Sequence, residues 1–487
     1  MLFNSLHFIF FFPTAVAIYL ATPRDRRWLW LLISSYYFYM CWNPRYVLLI
    51  LCSTLVDYVA ALQMARYGSK RARRALLGVS LGVNLGLLGV FKYFNFMAES
   101  LERAFHAFNL FADLPSFDAL LPVGISFYTF QTLSYTLDVY KGRIEPERHL
   151  GYFAVFVAFW PQLVAGPIER SSRLLPQLHA PSPLDAARLG SGLSIMLWGF
   201  FQKLVIADRL APYVAGVYDL PAGEVAGISG GTVWLATYAF AIQIYCDFSG
   251  YSLIAIGAAR ILGIDLMINF RRPYMARSVA EFWNRWHISL STWFRDYVYI
   301  PLGGNRGGRA RHFRNLLLTF AVSGLWHGAG WTFVIWGMLH GVYLVVTLLS
   351  AELRRRMRSA AHVRHTGFLA RNGQRFATFH AVLFGWIFFR AADLPTAWAL
   401  LERMATGPLD GLRLTRHSLT TGSLDPWLAL ILCGALVVQD AVLSDREVDE
   451  WLAELKPGLR FLWHTALAAC ILWLGVFSSQ EFIYFQF

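Results

Sequence analysis

Residues 315–350 read NLLLTFAVSGLWHGAGWTFVIWGMLHGVYLVVTLLS, and basic clusters at 306–314 and 354–364 flank them. The centre of this stretch is Leu325-Trp326-His327-Gly328-Ala329-Gly330-Trp331. At 1.5 Å per residue, a helix starting at Asn315 carries His327 about 18 Å, near mid-depth of a hydrocarbon layer about 30 Å thick. An imidazole at that depth is costly, faces a bundle interior or watery cavity, and is a functional-site candidate by default. The stretch is barely long enough for two spans of about 20 residues. Gly324, Gly328, Gly330 and Gly337 predict a broken or re-entrant hairpin whose irregular backbone lines a cavity. On a continuous helix His340 lies about 20 Å further and about 220° round, so it shares a site with His327 only if the segment is broken.

The rest of the chain must show that such a stretch is in a bilayer, and composition does so. Of 487 residues 56% are hydrophobic, 16% aromatic and only 15% charged, too little polar surface for a soluble domain. Apolar runs at 5–21, 28–42, 46–66 and 75–93 approach spanning length, with further candidates near 150–165, 191–213, 231–262, 374–391, 426–443 and 461–479. This predicts an all-α polytopic membrane protein of about 11 to 13 spanning or re-entrant helices. Met1 to Leu6 carries no basic residue and Ala21-Thr22-Pro23 is a poor cleavage context, so the first run reads as a retained helix and not a signal peptide. The formal charge of +13 is concentrated between apolar runs, at 24–27, 70–74, 306–314 and 354–364. That is the positive-inside pattern, with membrane lipids and not nucleic acid as the surroundings. Two spans between the first two clusters put the amino terminus outside. The five cysteines stand singly, without CxxC pairs or histidines at metal spacing, which predicts neither a disulfide framework nor a metal site. No linker or internal repeat divides the chain, so 1–487 reads as one membrane domain.

Two stretches, 97–149 and 263–314, interrupt the simple spans and suit re-entrant or interfacial structure. Within the second, Phe282, Trp286, Leu290, Trp293, Phe294 and Tyr297 predict one amphipathic helix over Glu281–Tyr297, lying along the cytoplasmic surface. His287 falls off its apolar stripe, beside Asn284 and Ser291, and is expected in polar surroundings. His327 can accept a proton from an alcohol attacking an acyl donor, against the plainer reading of a histidine bonded across helices. Asp247 and Asp138 are lone carboxylates amid apolar residues, expected to pair with an arginine or histidine if structural. Arg271, Arg272, Arg277, Arg285 and Arg295 suit the phosphates of a soluble donor such as coenzyme A, although topology alone explains them. The terminal Phe482-Ile483-Tyr484-Phe485-Gln486-Phe487 reads either as an interfacial anchor or, more sharply, as carrying an acyl acceptor on the Tyr484 hydroxyl.

Five ordered motifs carry a family resemblance: Pro122–Gln131, Trp160–Ile168, Tyr245–Tyr251, Phe282–His287 continuing to Trp293–Tyr297, and Trp326-His327-Gly328. Together they resemble the membrane-bound O-acyltransferase family, in particular its bacterial polysaccharide branch of alginate O-acetyltransferase membrane subunits, with the motif-bearing core at about 120–350. The resemblance implies a ring of tilted transmembrane helices with re-entrant and interfacial helices around a central catalytic funnel. It implies His327 and His287 as the catalytic pair; Trp326, Asn284, Arg285, Arg295, Gln162 and Asp247, in or beside the motifs, are candidates for substrate or donor binding or for a structural role. It further implies acetyl transfer from a cytoplasmic donor, acetyl-CoA, with no tightly bound cofactor. The recipient is a periplasmic SGNH-hydrolase-like partner within the polysaccharide machinery, across the inner membrane. Peptidoglycan, cellulose or another polymer as acceptor, D-alanyl transfer to teichoic acid and, in a different class, polymer transport or flipping stay open at this point.

Overall fold

Every regular element among the described residues is a helix. The computed structural model describes residues 1–109, 114–117, 122–164, 166–361, 367–407, 433, 434, 436, 440, 443, 446–477, 482 and 483, with 351–361 as backbone only. Six of these helices are long and apolar enough to cross a membrane: Pro44–Arg66, Lys70–Ala107, Ala186–Tyr218, Gly230–Ile261, Trp331–Ser350 and Pro457–Leu474. Leu6–Ala21 and Leu150–Leu163 are shorter apolar helices. The chain is a multi-pass membrane protein. The expected run at 426–443 lies almost wholly outside the described residues.

By internal packing the chain forms two compact units, Met1–Met196 with Tyr251–Met267, and Leu197–Gly250 with Ile268–Phe487. In the first, the helices Val47–Arg66, Lys70–Leu88 and Ile125–Tyr140 pack on one another around a buried polar knot. Asp57 at its centre accepts from the Ser80 hydroxyl and from Asn84 Nδ2 at 2.9 Å, while Asn84 Oδ1 accepts from Ser53. Two motifs meet nearby, because the amides of Gln131 and Gln162 both donate to the Phe156 carbonyl. Asp138 pairs with Arg143 at 3.0 Å, an arginine partner as expected.

In the second unit, the helix Arg309–His327 stops at the histidine, Gly328 is extended at φ −156°, and a new helix begins at Trp331. The expected break is therefore present, at Gly328–Gly330. The two arms lie backbone against backbone. A Cβ on Gly324 would stand 2.2 Å from the Phe333 carbonyl oxygen, and one on Gly337 2.2 Å from that of Phe320. Only glycine permits this approach, a common device where helices associate in lipid.

The single amphipathic helix expected over Glu281–Tyr297 is instead three pieces: Val279–Trp283, Ile288–Phe294 and a π-helical Arg295–Tyr299. The corner at 284–287 forms because the neighbouring loop takes the backbone groups that a continuous helix would use internally. Arg271 N–H donates to the Arg285 carbonyl at 2.9 Å, and Ile288 N–H to that of Asn269 at 2.9 Å. The corner closes with His287 in the left-handed region, at φ 44° and ψ 54°.

Candidate active site

His287 is fully buried, which corrects the expectation of polar surroundings. A left-handed conformation is unusual for a side chain with a Cβ and persists only where surrounding contacts impose it, often at functional sites. The contacts here are specific. The His287 ring stands edge-on to Phe248 at 4.6 Å between centroids and lies over Phe270 at 6.4 Å. Its Nδ1 is 3.1 Å from Asn269 Oδ1. The same oxygen accepts from the Ser289 N–H at 3.3 Å and the Ser289 hydroxyl at 2.9 Å, so it is the carbonyl end of the amide. Nδ1 therefore donates, and Nε2 carries the lone pair. A hydrogen bond on one ring nitrogen sets the chemistry of the other. Burial lowers the His287 pKa to about 3, so the ring is neutral at physiological pH.

His327 is buried at the C-terminal end of its helix, within an aromatic box of Trp326 at 4.9 Å, Trp336 at 4.9 Å and Phe389 at 5.4 Å. Trp326 also touches His287, at 6.1 Å, so one indole adjoins both imidazoles. The break at Gly328–Gly330 satisfies the condition set for His340, whose ring is on Trp336 at 5.0 Å. His340 Nδ1 accepts from the Trp283 indole at 3.2 Å. His340 is thus a third buried imidazole on the same aromatic group.

A cavity of about 460 Å³ opens beside this group. Asn284, Arg295 and His312 are among its polar lining residues, and Trp283, Ile288 and Ser323 also line it. Ile288 follows His287 in the chain, and Ser323 precedes His327 by one helical turn. The volume falls within the roughly 300–1,000 Å³ of small-molecule sites.

The other candidates divide. Asn284 and Arg295 line the cavity, though Arg295 also pairs with Asp296 at 2.8 Å. Arg285 pairs with Glu281 at 3.0 Å and donates to the Arg271 carbonyl, so it braces the corner. Arg271 and Arg277 have carboxylate partners too, Glu447 and Glu281, so the arginine crowd is not an open phosphate cradle. Gln162 belongs to the first unit. Asp247 pairs with a lysine, Lys203, where an arginine or histidine was expected. Tyr484 lies outside the described residues. Asn269 was missed altogether: a lone asparagine far from His287 in sequence carries no local signal.

A model of the membrane-bound O-acyltransferase family matches residues 147–390. The probable alginate O-acetylase AlgI of Pseudomonas putida is 40% identical, over 100% of both chains. The peptidoglycan O-acetyltransferase of Helicobacter pylori is 35% identical over 86% of this chain and 82% of its own. The teichoic acid D-alanyltransferase of Streptococcus thermophilus is 32% identical over 46% of this chain and 56% of its own.

Proposed function

Because the chain belongs to the membrane-bound O-acyltransferase family, and so is an O-acyltransferase, we propose that it passes acetyl groups from cytoplasmic acetyl-CoA across the inner membrane to a periplasmic SGNH-hydrolase-like partner. That partner then O-acetylates an exopolysaccharide such as alginate. The observation that carries this reading is the pair of buried imidazoles on one indole, beside a cavity lined in part by Asn284 and Arg295. The full-length 40% likeness to a probable alginate O-acetylase supports acetyl as the group and alginate as the polymer. The basic clusters at 24–27 and 70–74 support a periplasmic amino terminus and a cytoplasmic donor side.

In this mechanism the donor's thioester lies in the cavity, where Asn284 and Arg295 are among the polar groups that line it. His327 takes the proton from an acceptor hydroxyl as its oxygen attacks the thioester carbonyl. The carbon–sulfur bond breaks, and the thiolate leaves with the proton that His327 gave up. The first acceptor is the Tyr484 hydroxyl, and the resulting aryl ester passes its acetyl group to the partner's hydroxyl by the same exchange. Proton transfer of this kind contributes about 10²–10⁴-fold to rate. The negative end of the helix that stops at His327 favours the positive charge that develops on the ring. His287, neutral with its lone pair on Nε2, assists near the donor.

The test is release of labelled acetate or acetyl product from radiolabelled acetyl-CoA by protein in nanodiscs, with and without periplasmic partners, beside Tyr484→Phe. Turnover that needs the partner, with label held on the chain only when Tyr484 is present, supports the reading. Turnover of a carrier-protein thioester alone favours D-alanyl transfer. Polymer movement without thioester cleavage favours a transporter.

A further inference from the structure

We propose that Lys203, Asp208 and Asp247 form a buried latch that holds the carboxy-terminal segment against the wall of the His287 pocket. Lys203 Nζ lies 2.7 Å from an Asp208 oxygen and 2.6 Å from Asp247, with all three side chains almost wholly out of solvent. Ionic groups inside a membrane helix bundle are expensive and commonly mark function. The chain end adds a donor to this cluster: Ile483 N–H donates to Asp247 Oδ2 at 2.8 Å.

Two more bonds tie the same segment to the same place. Lys203 stands in a π-helical stretch, Phe201–Ala207, whose displaced ladder leaves the Leu204 carbonyl to accept from Val476 N–H at 3.0 Å. Arg209 Nε donates to the Leu474 carbonyl. Residues 474, 476 and 483 are thus anchored on 203–209 and 247. The latch also reaches the histidine. Phe482 is fully buried against Phe248 at 5.5 Å, and Phe248 is the ring that stands on His287 at 4.6 Å. Adjacent residues of one helix, Asp247 and Phe248, therefore hold the chain end with one side chain and the imidazole with the next. Tyr484 is the next residue along. The consequence for catalysis rests on the proposed relay through Tyr484; the latch itself does not.

Asp247, Lys203 and Asp208 are positioning residues under this proposal, and the test has two independent readouts on the full chain in nanodiscs. The first is hydrogen exchange of the peptide covering 476–487. Asp247→Ala removes the acceptor while leaving Lys203 paired with Asp208, and should speed exchange of the Ile483 amide by about tenfold or more. Asp247→Asn keeps an acceptor and should fall between; it also serves if the alanine variant does not fold. The second is transfer to the partner, where kcat should fall about tenfold with the donor KM unchanged. Unchanged exchange in a folded Asp247→Ala or Asp247→Asn protein overturns the latch, whatever the activity. Faster exchange with undiminished transfer overturns its positioning role while leaving the acyltransferase reading intact. Wild type without acyl turnover sinks that reading instead, and the exchange comparison still decides the latch.

Discussion

Two buried polar clusters in this molecule incur the same cost and use it differently. In the first unit, Asp57, Ser80, Asn84 and Ser53 spend their donors and acceptors on one another. In the second, His287 Nδ1 donates to Asn269, and Ile288 and Ser323, close in the chain to the two imidazoles, line a cavity. A network closed on itself binds helices together, whereas a lone pair held beside a cavity can do chemistry. Burial of a polar group is thus not by itself the mark of a site; what sets the second cluster apart is the cavity beside it.

Substitutions should separate the two kinds. His287→Ala should lower acyl transfer by about 10²-fold or more at unchanged folded yield, as loss of a general acid–base group does. A loss under threefold would remove His287 from the chemistry and make the two clusters alike. Asn269→Leu keeps both imidazoles but frees the tautomer, and should cost about tenfold in kcat with little change in donor KM. An equal loss of both would mean that Asn269 only shapes the pocket. Asn84→Leu, in the closed cluster, should do the reverse: about 1–3 kcal/mol of stability lost, read by denaturation, with activity per folded molecule retained.

The smallest effect is on pH dependence. Because burial lowers the His287 pKa to about 3, the folded ring stays neutral where the unfolded one takes a proton. Its contribution to stability is therefore present above about pH 6.5 and is lost progressively as pH falls toward 3. Wild type should lose stability more steeply than His287→Asn between pH 6.5 and 5, and kcat/KM should show no inflection near 6.5 that this substitution removes. Such an inflection would place His287 in water.

Much of this was legible in the sequence, and the division has a physical basis. Spans follow from local hydropathy, and five of the expected runs coincide with five of the six long apolar helices; Trp331–Ser350, the sixth, is the second arm of 315–350. The break after His327 follows from glycine spacing, since Gly328 and Gly330 deny the helix its continuation. The corner at His287 was not legible, because the 281–297 pattern is that of a good amphipathic helix. What breaks it is a tertiary event, the pairing of 269–271 with the backbone of 285–288. Asn269 and Lys203 were missed for the same reason: their partners are reached by folding, not by spacing. The place of His340 hung on the break after His327, which the glycines announced.

The most direct measurement is single-turnover cleavage of an acetyl thioester donor by His327→Ala beside wild type, at equal folded concentration in nanodiscs. Removing His327, the general base, should cost about 10³-fold or more in rate, with the melting profile retained. Cleavage at the wild-type rate would contradict that role and reduce His327 to a packed ring among tryptophans.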